Sequence, residues 1–190
     1  MLTVPLRIAI AIDGVLANSA TDAFPDAERI ENFWESLTEA EPGAVSRLAT
    51  LATSRLWEII FLTSRPSTAG GTVQLQSQRW LESKGFALPS VYVAHGPRGR
   101  IAAALGLEVV VDDSADRCID VVGESEARAI LVWRGREAML PAEARRPEIS
   151  MVKSVSDCLD LLEAVPRRER ASSSLLARLK RMLGLQEARA

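Results

Sequence analysis

The stretch Arg7-Ile8-Ala9-Ile10-Ala11-Ile12-Asp13-Gly14-Val15-Leu16 decides the fold. From Ile8 to Ile12 it carries no polar residue, and it stops abruptly at Asp13-Gly14. A short apolar run without alternation suits a strand buried on both faces, as in a parallel sheet. The same phrase recurs down the chain. Glu58-Ile59-Ile60-Phe61-Leu62 ends in Thr63-Ser64-Arg65-Pro66, Val91-Tyr92-Val93-Ala94 ends in His95, and Glu108-Val109-Val110-Val111 ends in Asp112-Asp113. Ala129-Ile130-Leu131-Val132 and Ile149-Ser150-Met151-Val152 complete the set.

Helical patterns lie between these runs. Pro42 suits a first helical turn, and Val45, Leu48, Ala49, Ala52 and Leu56 then make one apolar face. A second helix carries Val73, Trp80 and Leu81, with Gly85 placed as a C-cap glycine. A short one runs from about Arg100 to Gly106, Ser114 caps one through Cys118, Val121 and Val122, and the last spans about Ser154 to Val165. Strand and helix therefore alternate, which predicts an α/β, three-layer, Rossmann-like parallel sheet with helices on both faces. The polar stretch of about residues 18–41 holds Pro25, then Ile30, Phe33, Trp34 and Leu37 at helical spacing. It reads as a small helical cap insert after the first strand. The main domain covers residues 1–165. Residues 166–190 form a charged linker and an amphipathic helix at 174–185, with Leu175, Leu176, Leu179, Met182 and Leu183 on one stripe beside Arg178, Lys180 and Arg181. That helix either docks on its own domain or meets a partner or membrane surface.

The bulk numbers bound the rest. The chain has 190 residues, 47% of them hydrophobic, enough for one well-filled core. Its 23 basic and 25 acidic side chains leave a net charge of -2, so no global field draws in a nucleic acid polymer. Two cysteines, Cys118 and Cys158, show no zinc-site spacing and read as buried thiols. No apolar run reaches the length of a transmembrane segment, and the expectation is a soluble, cytoplasmic protein.

In open parallel sheets, ligands bind beyond the carboxyl ends of the strands. This chain places Asp13, then Thr63, Ser64 and Arg65, then His95, then Asp112 and Asp113 at those ends. Hard oxygen ligands without thiolates suit magnesium. Thr63, Arg98 and Arg100 supply donors for a phosphoryl group, and the glycines of Gly96-Pro97-Arg98-Gly99 let backbone approach an anion. Each piece has an ordinary use by itself: Asp-Gly turns, strand-end hydroxyls and helix-capping carboxylates are common, and His95 alone reads equally as a surface residue. Their order, each at a strand end, is what makes them specific.

Taken together, these segments resemble the haloacid-dehalogenase-like (HAD) superfamily from about Arg7 to Val165. Ile8 to Leu16 looks like its first motif, a strand followed by DxDG[TV]L; Phe61-Leu62-Thr63-Ser64-Arg65-Pro66 resembles the second; Arg98 stands where the third has Lys or Arg; Val110-Val111-Asp112-Asp113 resembles the fourth. The TSRP string and the DDS turn are most like the small deoxyribonucleotidase-like branch. The resemblance implies a magnesium-dependent phosphomonoester hydrolase acting through an aspartyl-phosphate. In it Asp13 would be acid/base and lend its carbonyl to the metal, Thr63 would hold a phosphoryl oxygen, Arg98 would balance charge, and Asp112 with Asp113 would hold Mg2+. Gly14, Ser64, Arg65, His95, Gly99 and Arg100 would line the place of a small phosphorylated, nucleotide-like substrate, with Phe33 and Trp34 closing over it.

One departure dominates. The nucleophile's position is Ala11, whose methyl group can neither attack phosphorus nor bind magnesium. Losing one member of a catalytic unit can cost on the order of a millionfold in turnover. Three explanations fit: a natural member that binds a phosphorylated ligand without turning it over, an engineered trap of an active enzyme, or another nucleophile such as water oriented by Asp13. The functional alternatives are accordingly an impaired phosphatase-fold protein, an active phosphohydrolase or nucleotidase, and a non-catalytic interaction protein using the C-terminal helix. A receiver domain is disfavoured because the third strand ends in Ala94-His95, and a dinucleotide fold because Asp13-Gly14-Val15-Leu16 lacks the glycine pattern.

Overall fold

The computed structural model describes residues 5–18, 33–66 and 69–165. Its strands are β1 (Arg7–Ala11), β2 (Glu58–Thr63), β3 (Ser90–Val93), β4 (Val109–Asp112), β5 (Arg128–Val132) and β6 (Ile149–Val152). They form one six-stranded sheet in the order β3-β2-β1-β4-β5-β6, every pair parallel. The helices described are α1 (Ala44–Arg55), α2 (Val73–Ser83), α3 (Arg98–Leu105), α4 (Ala115–Glu124) and α5 (Val155–Glu163). The strand order reverses between β1 and β4, and such a switch point opens a crevice at the carboxyl edge.

Period-two side-chain alternation sorts the core into two halves. Ile8 and Ile10 of β1 join Leu48 of α1, Trp80 of α2 and Leu159 of α5 on one face. Ala9 joins Ala102 of α3 and Cys118 and Val121 of α4 on the other. Trp80 is 1% exposed and its Nε1 donates to the carbonyl of Leu37 at 3.0 Å, which fastens the segment before α1 to the core. Truncating such a buried tryptophan to alanine costs on the order of 3–5 kcal/mol.

Helix boundaries differ locally from the sequence reading. α1 starts after Pro42, at Gly43 in the left-handed region, and the Glu39 carboxylate caps it by accepting from the Gly43 and Val45 N–H groups. Leu51 faces the core, whereas Leu56 sits in a left-handed cap (φ 57°) and is 59% exposed. Phe33–Ser36 is a short 3-10 turn. Pro25, Ile30 and most of the expected cap insert lie outside the described residues, as do the linker and amphipathic helix of 166–190. Both cysteines are buried free thiols, and burial pushes the Cys158 thiol up to about 12. Among the described residues, no helix is long and apolar enough to cross a membrane.

Candidate active site

The register aligns Ala11 with Leu62 of β2 and Ile10 with Val111 of β4. The segments after β1, β2 and β4 therefore end at one height. Beyond β1 the chain makes a single turn, with Leu16 and Ala17 donating back to the Ile12 carbonyl, and this presents Asp13 to β2. Thr63 Oγ1 donates to Asp13 Oδ2 at 2.7 Å. Arg65, only 8% exposed, donates from Nε to Asp13 Oδ1 at 3.0 Å, and its Nη2 lies 2.9 Å from the same oxygen. Its guanidinium carbon also stands 5.6 Å from the Phe33 ring centroid, within cation–π range. Phe33 is fully buried, so its role here is to floor Arg65.

A second charged group stands at the end of β4. Asp112 is fully buried, and its Oδ1 accepts from Ser114 N–H at 3.0 Å and from Arg117 Nη1 at 3.5 Å. Its Oδ2 lies 3.6 Å from Nε of Arg98, itself 4% exposed, and neither of these two atoms has a hydrogen-bond partner. Burial draws the Arg98 guanidinium below its ordinary value, with the nearby Asp112 charge acting against that shift. Next to this pair, burial and then the charge of Asp112 push the Asp113 carboxyl up to about 6. Arg117 reaches further: Nη2 donates to Ser64 Oγ at 3.2 Å.

Gly14 adopts φ 79°, and a Cβ there would lie 1.9 Å from Asp113 Oδ2. The glycine is thus required twice, by its backbone angle and by the carboxylate against it. Gly99 has a different use from the anion approach read in the sequence. It lies in α3, its N–H donates to Asp120 Oδ2 at 2.8 Å, and a Cβ would meet the Asp120 carbonyl at 2.4 Å, so it seats α3 on α4. Arg100 is exposed on α3. His95, Ser64, Arg98 and Arg117 do come together, lining a cavity of about 490 Å3 with Asp116 and Asp120.

Two site residues escaped the sequence reading. Arg117 stands in the first turn of α4, where an arginine reads as solvated. Arg134, just after β5, donates to the carbonyls of Gly14 and Val15 and lies 3.6 Å from Glu41 Oε1. The strand-end rule that found Asp13 and Thr63 applies equally to Arg134.

The donor set does not suit the magnesium centre that the resemblance implies. Two arginines flank Asp112, the buried carboxylate that the resemblance gives to the metal. Ala11 offers no ligand. Among the described residues, no three His, Cys, Asp or Glu side chains gather as a metal-holding group.

No protein-family model matches the chain, and no curated protein matches it in sequence. Its fold does match solved structures. The crystal structure of D,D-heptose 1,7-bisphosphate phosphatase from B. bronchiseptica, complexed with magnesium and phosphate, gives a TM-score of 0.58 at 18% identity, over 83% of this chain and 97% of that one. The corresponding phosphatase from Burkholderia Thailandensis gives 0.56 at 16% identity, over 83% and 98%. The chain therefore shares the Rossmann-like α/β fold of these two phosphatase structures, the fold class that the sequence pattern led one to expect.

Proposed function

We propose that this chain is a HAD-like protein that binds a small phosphorylated molecule at the carboxyl edge of its sheet and does not hydrolyse it through an aspartyl-phosphate. Ala11 carries the reading: a methyl group, 2% exposed, ends β1 where the covalent route needs a carboxylate. The surrounding groups fit binding better than turnover. The Thr63 hydroxyl proton is committed to Asp13, so Thr63 cannot also donate it to a phosphoryl oxygen. The donors left for an anion are the guanidinium groups of Arg98 and Arg117, which offer the planar fork that phosphate accepts.

The cavity beside them selects the ligand's remainder. Ser64, His95, Asp116 and Asp120 offer hydroxyl, imidazole and carboxylate partners, and no Phe, Tyr or Trp is among its described lining residues. This favours a polyhydroxylated phosphomonoester over a nucleotide, whose base would want an aromatic face. Titration calorimetry with a hexose phosphate, the parent hexose and a nucleoside monophosphate tests it. Binding of the hexose phosphate, weaker binding of the nucleotide and none of the free hexose is expected. Equal affinity for hexose and hexose phosphate, or no binding of either phosphate, overturns the proposal.

A further inference from the structure

The poor fit to magnesium has a counterpart in charge. β1 lies between β2 and β4 in the sheet. Ser64 follows β2 and Asp112 ends β4, so a side chain bonded to both links the carboxyl ends of the two strands beside β1. Arg117 does this, with Nη2 on Ser64 and Nη1 on Asp112. A cation therefore bridges the ends of the two strands that flank β1, whose last residue is Ala11, in the region where the HAD pattern has a carboxylate beside a divalent metal. Removing one carboxylate and one divalent cation lowers the charge of the site by one, and one guanidinium restores it.

From this we infer that Arg117 replaces the divalent cation, so that phosphate binding at this site is independent of metal. The inference rests on the phosphate-binding reading above and adds to it. Arg98 contributes a buried guanidinium whose Nε lies 3.6 Å from Asp112 Oδ2 without a hydrogen bond to it, and Arg117 contributes an accessible fork, being 40% exposed. Two guanidinium groups give a phosphate both charge and directed donors, while Asp13 and Asp112, two of the carboxylates that would recruit a metal, already face arginines. Asp116 and Asp120 face the same cavity, and Asp120 is turned to the Gly99 N–H.

The test uses the full chain with inorganic phosphate as probe. Its affinity is measured by calorimetry in excess EDTA and again in millimolar magnesium, for the parent, Arg117→Met and Ala11→Asp. The parent should bind equally in both buffers. Arg117→Met should lose about tenfold or more in affinity, the scale of a charged hydrogen bond, and its melting curve is recorded alongside because the fully buried Asp112 loses one of its two arginines. Ala11→Asp should bind more weakly in EDTA and recover with magnesium, since its added carboxylate repels phosphate until a cation offsets it. Parent binding only in magnesium overturns this inference and leaves the ligand-binding reading intact. Parent binding in neither buffer overturns both. Unchanged affinity in a folded Arg117→Met overturns the assignment of the arginine.

Discussion

Replacing Gly14 with alanine probes the site where its parts are closest. Two costs are separable. A side chain at φ 79° carries the left-handed penalty, about 1–2 kcal/mol. The new Cβ would also lie 1.9 Å from Asp113 Oδ2 and 2.3 Å from its Cγ, so the whole carboxyl group must move. That overlap is of the overpacking kind, roughly 1–3 kcal/mol. Gly14→Ala should therefore destabilise the chain by about 2–5 kcal/mol in urea unfolding at neutral pH. In an Asp113→Ala background only the backbone penalty remains, about 1–2 kcal/mol. The difference, a coupling of about 1–3 kcal/mol, is what a double-mutant cycle isolates. Equal costs in the two backgrounds would mean that Asp113 swings aside freely and does not pack against the β1 turn, and the described geometry of the acidic pair would be wrong.

Other perturbations read other parts. Thr63→Val removes a buried hydroxyl that donates to a carboxylate, and should cost about 1.5–3 kcal/mol by chemical denaturation. In metal-free buffer Asp113 makes stability depend on pH: its carboxyl titrates at about 6 folded against the ordinary 3.8, so the folded state holds more protons between those values. Its contribution is complete below about pH 3.8 and lost as pH rises through about 6, and Asp113→Asn should remove that slope from melting curves across the window. Gly99→Ala would set a Cβ 2.4 Å from the Asp120 carbonyl and 2.5 Å from Glu124 Cβ, so α3 and α4 must part. Overpacking of about 1–3 kcal/mol outweighs the helix-propensity gain of about 0.5–1 kcal/mol, and the melting temperature should fall.

The sheet was legible because its strands are buried on both faces and write themselves as apolar runs, each ending in a polar group. That rule placed Asp13, Thr63, Asp112 and Asp113 at one edge, and capping preferences placed Ser114 and Gly85 at helix ends. Sequence could not show direction. Gly99 in Gly96-Pro97-Arg98-Gly99 reads as a loop glycine, and only the packing of α3 on α4 reveals why it lacks a side chain. Leu56, expected on the apolar face, is exposed because the chain turns left-handed there at the end of α1. Arg117 went unremarked because a charged residue in the first turn of an amphipathic helix usually faces water. Here the turn sits over the end of β4, and the guanidinium folds back onto Asp112.

The central claim, a phosphatase fold that binds without hydrolysing, is tested most directly by phosphate release. The full chain, at high concentration and over long incubation, should be given hexose phosphates, nucleoside monophosphates and an aryl phosphate, with and without magnesium. The account predicts no phosphate above the buffer rate with any of them. Release that is abolished by Asp13→Asn would contradict it, because it would show that the site turns over with Ala11 in place of a nucleophile.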